Sequence, residues 1–413
     1  MRRRCMKRSV IFLNRYFFPD HSATSQLLSD LAFETAKSGM PVTVITGQQI
    51  YDDSTRRLLA RQSVEGVAVR RVWSTRFGRG QLWGRALDYL SFYLSASVAL
   101  LFILRRGDLV VAKTDPPMIG LPVALIAALR GAGHAHWVQD IFPEIAAREF
   151  FWLAGLPCRA LTAMRNAALR SAAFVVVLSG AMRRHLIANG IAAEKISVIP
   201  NWFDGERVRP LAAADNPLRT DWGLRDAFVV GYSGNLGRVH DADTFLDAAA
   251  ILQSDPEVVF CFVGGGAKRE ALEARARRRG LTNFRFKPYQ AQDMLAHSLT
   301  LPDVHLVSLR PGFEGLVYPS KMAGIAAAGR AVVFVGDPDG GLARSIREAR
   351  IGVVAPCGHG AALARQLRDL KNDVALRREL GANARDYFES TFTRSKSLAA
   401  WADLLSRART PRD

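Results

Sequence analysis

Short runs of β-branched and aromatic residues alternate with longer helical patterns along the whole chain. This order is typical of parallel sheets whose strands are connected by crossover helices. Strands are predicted at 10–13, 42–46, 67–72, 109–112, 136–139, 174–178 and 196–199 in the first half, and at 228–233, 258–263, 284–287, 304–309, 331–335 and 352–355 in the second. The pattern predicts the α/β class, with two Rossmann-like, doubly wound domains.

The length of 413 residues supports this division, because it exceeds what one ordinary core accommodates. A polar stretch at 210–226, with Pro, Asn and Gly and no strand pattern, is the best linker. We therefore predict an N-terminal domain at 1–205 and a C-terminal domain at 206–390. The final segment, 391–413, is predicted to be helical, and Trp401 and Leu405 give it an apolar face that must pack on another element.

The four cysteines, Cys5, Cys158, Cys261 and Cys357, are far apart, and no histidine is spaced to complete a zinc site. We expect a reducing cytosol and no structural metal. An Asp-Pro-Asp sequence at 337–339 has the spacing of an acidic metal-binding pair, but it follows a late strand and is interpreted as a turn.

The net charge of +18 creates a strong positive field and requires an explanation. Nucleic acid is the weakest candidate partner, because the arginines are scattered and neither an RRM signature nor zinc-finger spacing is present. Basic residues lie beside apolar ones at 79–106 and around Arg159, Arg165 and Arg170, which favours peripheral binding to an acidic membrane surface. Arginine on solvated faces, without a partner, explains the charge equally well.

The segment at 89–104 has no charged residue and is the one candidate for a membrane span. It is shorter than the ~20 apolar residues that a spanning helix needs. Three serines interrupt it, and an apolar run typical of a strand follows soon after. We interpret it as a buried or interfacial helix.

Glycine-rich turns after strands are where parallel sheets bind phosphate groups. The turn after the first strand, 14–25, contains no glycine, and no phosphate-loop motif occurs in the chain. In the second domain, one strand ends in Ser233-Gly234-Asn235-Leu236-Gly237, before Arg238, and the next ends in Gly264-Gly265-Gly266, before Lys268. Either turn could also serve packing alone.

A third candidate site follows the strand at 304–309. Ser320 is predicted to cap the next helix, which places Lys321 in its first turn. A lysine there opposes the helix dipole, and a bound anion would remove this conflict.

Several segments of the chain, including these turns, resemble those of family-four retaining glycosyltransferases, in particular the branch with colanic acid and O-antigen sugar transferases. The matching segments are 16–25, 115–117, 139–144, 199–201, 233–237, 264–266, 319–321 and 326–330. The resemblance implies the GT-B fold, in which two Rossmann-like domains face each other across a cleft and the C-terminal domain binds the donor. It also implies that the final helix packs back on the N-terminal domain.

The resemblance and the turn positions together define a set of candidate site residues. Catalytic roles are assigned to Asp140, Glu314, Arg238, Lys268 and Lys321. Donor binding is assigned to Ser233, Gly234, Asn235, Leu236, Gly237, Gly264, Gly265, Gly266, Tyr289, Gly315, Leu316, Val317 and Ser320. The acceptor side is assigned to His21, Ser22, Thr24, Asp115 and Glu144.

Asp140 is the carboxylate expected to face the acceptor, since it follows a predicted strand and precedes Ile-Phe-Pro, although it could also be a turn-capping residue. Two features depart from the family. The family's two glutamates are eight positions apart, and here Glu314 has no partner, so ribose recognition is unassigned. Asn235 and His240 replace the family's Arg and Lys.

The implied function is metal-independent, anomer-retaining transfer of a hexosyl or N-acetylhexosaminyl group, without a cofactor. The expected donor is a nucleotide diphosphate sugar, most simply a UDP-sugar. The expected acceptor is a polyprenyl diphosphate-linked saccharide in exopolysaccharide, capsule or O-antigen synthesis, at the cytoplasmic face of the inner membrane, without nucleic acid. The alternatives are a nucleotide-sugar 2-epimerase of the same fold and a non-catalytic, basic membrane-binding protein.

Overall fold

The computed structural model describes residues 8–50, 57–78 and 82–409. The chain forms two compact units. Unit 1 contains the chain up to Pro200, together with Gly315–Val317 and the residues from Ser397 onwards; unit 2 contains Asn201–Glu314 and Tyr318–Lys396. Cys5 lies outside the described residues.

The described part of unit 1 is built on an eight-stranded sheet in the order β3-β4-β2-β1-β5-β6-β7-β8. β3 pairs antiparallel with β4 and the other neighbours are parallel. Its strands are β1 Val10–Leu13, β2 Val42–Gly47, β3 Arg61–Val64, β4 Val67–Val72, β5 Leu109–Lys113, β6 Gly133–Trp137, β7 Val175–Val177 and β8 Ile196–Val198. Its helices are α1 Ala23–Lys37, α2 Leu82–Ile103, α3 Gly120–Arg130, α4 Glu144–Glu149, α5 Leu156–Ser171 and α6 Gly180–Ala188.

The described part of unit 2 contains a six-stranded parallel sheet in the order β11-β10-β9-β12-β13-β14. Its strands are β9 Phe228–Ser233, β10 Val258–Val263, β11 Phe284–Lys287, β12 Val304–Ser308, β13 Ala331–Gly336 and β14 Gly352–Pro356. Its helices are α7 Pro217–Asp221, α8 Asp243–Leu252, α9 Arg269–Arg278, α10 Leu295–Thr300, α11 Lys321–Ala327, α12 Gly341–Glu348, α13 Gly360–Asn372 and α14 Val374–Thr391. The two doubly wound domains predicted from the sequence are present.

Two strands of unit 1 differ from the predictions. β3 was not predicted, because Arg61-Gln-Ser-Val64 is polar and lies at an exposed edge of the sheet. β6 begins three residues earlier than predicted and contains His134 and His136, which are buried. A tertiary contact makes this possible, since His134 Nε2 lies 3.2 Å from the carbonyl oxygen of Ala168.

The polar stretch at 210–226 is not a linker. Leu218 and Leu224 belong to the hydrophobic core of unit 2. Arg219, also buried, pairs with Asp303 at 2.6 Å. Asn216 accepts a hydrogen bond from the amide of Leu218 and caps α7. Composition predicted a solvated segment here because these few apolar contacts are made with residues distant in sequence.

The boundary between the units lies after Pro200 rather than after residue 205. Phe203 belongs to unit 2 because it pairs with Thr393 and its amide donates to the carbonyl of Phe392 at 3.0 Å. The last helix, α15 Arg394–Arg409, belongs mostly to unit 1. Its fully buried Trp401 lies 4.9 Å from Trp137, measured between ring centroids.

Candidate functional site

The two glycine turns of unit 2 contact each other at the carboxyl ends of β9 and β10. The amide of Gly234 donates to the carbonyl of Val263 at 2.9 Å, and the amide of Leu236 donates to Gly265 at 2.8 Å. Gly264 has a φ of +132°, and a Cβ there would lie 2.4 Å from the carbonyl oxygen of Gly234. The turns therefore need glycine for their mutual packing, which uses the amides of Gly234 and Leu236 and fixes the backbone that carries the amides of Asn235 and Gly237.

Lys321 is the most unusual residue of this region. Its Nζ is buried, has no hydrogen-bond partner, and lies 3.2 Å from the centroid of the Tyr232 ring. Burial lowers the pKa of this amine well below its usual value. An ammonium group without an anion is expensive to bury, so the site is prepared for an anionic ligand.

Two hydroxyl groups near the same strand ends also lack partners. Ser233 ends β9 and Ser308 ends the adjacent β12, and the Oγ of each is buried without a hydrogen bond. Buried polar atoms of native proteins are normally satisfied. Orphaned donors at neighbouring carboxyl ends of a parallel sheet are typical of a site that a ligand completes.

Lys268 adds to the positive potential here, and His240 lies next to it. The Nδ1 of His240 lies 2.6 Å from the Ser308 carbonyl oxygen, and Lys268 donates to the carbonyl of His240 at 3.0 Å. Burial, together with the charges of Lys321 and Lys268, lowers the pKa of His240 to about 3. His240 is therefore neutral at physiological pH. The two residues also line a cavity of about 360 Å³.

Arg238 and Tyr289 are placed at the surface of unit 2. Arg238 is exposed, and its carbonyl accepts a hydrogen bond from Arg310. The Tyr289 ring is 61% exposed and covers Gly265, since a Cβ at Gly265 would lie 3.0 Å from it. An exposed ring beside the glycine turns offers a face on which a nucleobase can stack.

Glu314, which was assigned a catalytic role, accepts a hydrogen bond within unit 2. Its Oε1 accepts a hydrogen bond of 2.7 Å from the amide of Leu342, in the first turn of α12. The carboxylate therefore caps this helix and complements its dipole. Ser320 precedes α11 but makes no side-chain cap, contrary to the prediction.

Gly315, Leu316 and Val317 belong to unit 1, although they were assigned to the donor site. The carbonyl of Leu316 accepts from the amide of Ile141 at 2.8 Å. Sequence proximity to Lys321 suggested the assignment, whereas the backbone pairing is long-range.

Thr24 and Asp115, both predicted on the acceptor side, are brought together in unit 1. Thr24 Oγ1 donates to Asp115 at 3.2 Å, and Lys113 donates to the carbonyl of Thr24 at 2.9 Å. Lys113 is buried with its Nζ 3.8 Å from the centroid of a Trp137 ring, and desolvation lowers its pKa well below the usual value.

Asp140 lies three residues after the end of β6 and lines a cavity of about 30 Å³ with Thr114 and His136. Part of the residue is exposed, but the protein surrounding its carboxyl group, together with the neighbouring Asp115, raises its pKa to about 6. His136 Nε2 is buried without a partner, and burial lowers the pKa of this imidazole to about 3. A carboxyl group with a pKa near neutrality can exchange a proton during a reaction.

The remaining acceptor-side candidates are hydrogen-bonded to other side chains of unit 1 or are exposed. Glu144 accepts from Arg165 at 2.7 Å and lies 3.3 Å from His185, and these partners lower its pKa. Ser22 bonds to Asp20, and His21 is exposed.

Sequence reasoning did not identify Lys113, Tyr232 or Ser308 as site residues. The one available signal was a lysine at the end of the apolar run LVVAK. Tyr232 and Ser308 sit within hydrophobic strands and are indistinguishable from core residues by pattern. In the described part of the chain, no group of three or more His, Cys, Asp or Glu side chains could hold a metal ion.

The structure thus contains two doubly wound α/β units, and unit 2 carries two glycine turns and the buried Lys321. The model of the glycosyl transferase 4-like domain matches residues 24–202, and that of glycosyl transferases group 1 matches residues 217–387. The chain therefore belongs to the family-four glycosyltransferases with the GT-B fold.

Two related sequences and one solved structure are similar to this chain. The chain is 31% identical to a protein named as colanic acid biosynthesis glycosyl transferase WcaI of Escherichia coli (strain K12), over 61% of this chain and 63% of that protein, which is less than two thirds of its length. It is 26% identical to one named as glycosyltransferase WbjE of Pseudomonas aeruginosa, over 79% and 81% of the two chains. Its fold is similar to that of HepE of Anabaena in complex with UDP-glucose, with a TM-score of 0.71, 17% identity, and coverage of 97% and 99%.

Proposed function

We propose that this protein transfers a hexosyl or N-acetylhexosaminyl group from a UDP-sugar to a lipid-linked saccharide during synthesis of a surface polysaccharide. The observation that carries the proposal is the buried, unpaired ammonium group of Lys321 at the ends of two strands with orphaned serine hydroxyls. A UDP-sugar diphosphate supplies the missing acceptor atoms. The complex of HepE with UDP-glucose and the name of WcaI support the donor and the pathway class.

In this reaction, the bond between the anomeric carbon and the diphosphate breaks while a bond to an acceptor hydroxyl oxygen forms. Negative charge grows on the leaving phosphate, and stabilising it is the main task of the enzyme. Lys321, Lys268, Arg238 and the amides of Asn235 and Gly237, which do not donate to the neighbouring turn, carry this role without a metal. The hydroxyl attacks from the face that the diphosphate leaves, its proton passes to the leaving phosphate oxygen, and the anomeric configuration is retained without a covalent enzyme intermediate.

Asp140 faces the acceptor in this proposal. With its pKa raised to about 6, it is mostly ionised at pH 7 and accepts a hydrogen bond from the acceptor. Glu314 caps α12 and, in this proposal, fixes the segment between β12 and α11, which leads to Lys321, and does not contact the sugar.

A thermal-shift series with UDP, GDP and ADP tests the donor. UDP at a hundred times its Kd should stabilise the protein by about 2.7 kcal/mol. Transfer is then measured with matching UDP-sugars and a polyprenyl diphosphate-linked acceptor. If the products after incubation with donor alone include an epimerised sugar nucleotide, the protein is a 2-epimerase. If no nucleotide changes the melting temperature, the protein is a non-catalytic binding protein.

The proposed location is peripheral, on the cytoplasmic face of the inner membrane. The net charge of +18 and the lipid-linked acceptor support it. High salt should release the protein from membranes because the attraction is partly electrostatic. Retention in high salt would instead identify α2 as an anchor.

A further inference from the structure

The helix α2 exposes an apolar stripe along its whole length. Trp83, Leu87, Leu90, Leu94, Val98 and Phe102 are between 41% and 84% exposed. They recur at intervals of three or four residues and therefore lie on one side of the helix. A helix of 22 residues is about 33 Å long, so this stripe is far larger than a scattered surface leucine.

The opposite side of α2 packs on the sheet of unit 1. Phe92, Ala96 and Leu100 are fully buried in a cluster with Ile11 and Val110. The helix connects β4 to β5 as a crossover. The segment Trp83–Ile103 is long and apolar enough to cross a membrane, which corrects the sequence-based interpretation that it is too short. Because one side of the helix packs in the core of unit 1, an orientation along a membrane surface fits this helix better than an orientation across a bilayer.

Neighbouring helices extend the stripe. α2 packs on α3, and α3 packs on α5. Leu125 and Leu129, one turn apart on α3, are 63% and 69% exposed. Phe151 and Trp152, in a short 3-10 turn before α5, are 91% and 63% exposed, and Leu156 opens α5 at 78%. We call the exposed apolar side chains of α2, α3, this turn and α5 the apolar face.

The exposed charges on the helices of the apolar face are of one sign. Asp88 is the one acidic residue in the described helices α2, α3 and α5, and it is buried. Arg85, Arg159 and Arg170 are exposed on these helices, and Arg106 is exposed in the turn after α2. Apolar side chains rimmed by arginine, with tryptophan and phenylalanine among them, match the chemistry of an acidic lipid surface.

We propose that the apolar face docks the protein on a bilayer of acidic phospholipid, with α2 parallel to the membrane plane. A second copy of the chain fits less well, because a symmetric contact would place arginine against arginine without a carboxylate between them. Lipid headgroups supply those negative charges, and acyl chains accept the apolar stripe.

This surface is connected to the acceptor side of unit 1, and here the inference rests on the proposed function. On α2, Asp88 pairs with Arg15 and accepts hydrogen bonds from Thr75 and from the amide of Phe77. Tyr93 donates to the carbonyl of Pro117, two residues after Asp115. One helix thus contacts two of the segments assigned to the acceptor, the loop that begins at Arg15 and the loop that contains Asp115. Docking through α2 positions these loops at the lipid surface, where a lipid-linked saccharide is held.

The test uses the full-length protein and sedimentation with vesicles of phosphatidylcholine, with and without phosphatidylglycerol. We expect binding to the acidic vesicles and weak binding to the neutral ones. The double variant Leu90→Ser, Leu94→Ser should reduce the partition coefficient about tenfold or more, because two partly exposed leucines no longer enter the acyl region. Its matched control is Ile251→Ser, Val374→Ser, which changes two exposed apolar residues of unit 2 and should bind like the parent.

A charge pair completes the design. Arg159→Glu on α5 should weaken binding to acidic vesicles by about fivefold to tenfold, whereas Arg278→Glu on α9 should change it little. Melting temperatures of all four variants should match the parent, since every substituted side chain is exposed or partly exposed.

Equal binding of the Leu90→Ser, Leu94→Ser variant and its control would overturn the proposal. So would a parent protein that is dimeric by light scattering and becomes monomeric in that variant, which would assign the face to a second copy. UDP stabilisation is measured on the same preparations. Vesicle binding without a UDP effect rejects the proposed function and keeps the docking face, and the reverse result rejects the docking face alone.

Discussion

Units 1 and 2 share a parallel sheet covered by helices, but they expose different chemistry. Unit 1 presents the apolar face of α2, α3 and α5. In the described part of unit 2, the exposed large hydrophobic side chains are Ile251, Tyr289 and Val374, which are scattered. Both units bury polar atoms without partners, such as His136 Nε2 in unit 1, but those of unit 2 include the amine of Lys321 and the hydroxyls of Ser233 and Ser308 at the strand ends.

The two proposals assign a different kind of ligand to each unit. A small, charged ligand is bound by preorganised polar groups that the fold buries at a cost. An extended apolar surface without geometric detail can be matched by side chains left outside the core. The ligand proposed for each unit can therefore be tested separately.

The largest expected effect concerns the buried cation of unit 2. Lys321→Met keeps an unbranched side chain against the Tyr232 ring and removes the charge. It should lower kcat about a hundredfold, which corresponds to a loss of ~3 kcal/mol of transition-state stabilisation. The melting temperature without ligand should stay equal or rise, because an unpaired ammonium no longer needs to be buried. Kinetics and calorimetry measure the two effects.

Lys287→Met is the matched control, since Lys287 also lies over an aromatic ring, Trp222, at 4.9 Å, but belongs to no glycine turn. It should leave turnover nearly unchanged. Normal turnover of Lys321→Met with a lower melting temperature would make Lys321 a structural residue and remove the basis of the donor site.

The next effect concerns how α2 is fixed in unit 1. Asp88→Ala leaves Arg15 buried without its carboxylate and removes several hydrogen bonds, so the free energy of unfolding should fall by on the order of 3 kcal/mol. Asp403→Ala, which breaks the exposed pair with Arg407, should change it by about 0.5 kcal/mol or less. Denaturant unfolding followed by tryptophan fluorescence measures both, and equal effects would show that α2 is not held by this pair.

A smaller effect is expected at Asp140. Asp140→Asn should reduce transfer roughly tenfold at pH 7 and remove a rise in activity through about pH 6. The folded pKa is raised above the usual 3.8, so the protonated form is favoured in the fold, and this contribution to stability is lost as pH rises through about 6. The variant should therefore gain stability relative to the parent above that pH.

Asp115→Asn provides the comparison, because removing the neighbouring carboxylate should shift the activity rise to lower pH. A rise that stays near pH 6 in both variants would assign it to a different group.

The smallest effect is proton uptake on UDP binding. Lys321 has a lowered pKa in the free protein, and a bound diphosphate favours its charged form. At pH values between the lowered pKa of Lys321 and its usual value of 10.5, UDP binding should be accompanied by the uptake of at most about one proton by this amine. Isothermal titration in buffers of different ionisation enthalpy measures this uptake, and Lys321→Met should abolish it. An unchanged uptake in that variant would place the titrating group elsewhere.

The sequence predicted the strands of unit 2 closely, since β9, β10 and β11 begin and end at the predicted residues. β9 and β10 are mainly apolar runs bounded by turn residues, which are a strong local signal of a buried parallel strand, and the edge strand β11 alternates Phe with Arg and Lys. Edge strand β3 was missed because it is polar and exposed, although its partner β4 is adjacent in the chain. β6 was shifted because its buried His134 depends on a contact with Ala168, which is distant in the chain.

The alternation of strands and helices, the glycine turns and the proline-serine-lysine sequence before α11 determined, from the sequence alone, the fold class and the family. The same turns predict a phosphate site in unit 2. Only the tertiary structure decided that Glu314 caps α12, that the stretch at 210–226 belongs to the core of unit 2, and that Gly315–Val317 pair with unit 1. The tertiary structure also decided which side of α2 is buried. Periodicity identifies the apolar residues of a helix, but the sheet against which it packs determines which of them remain outside.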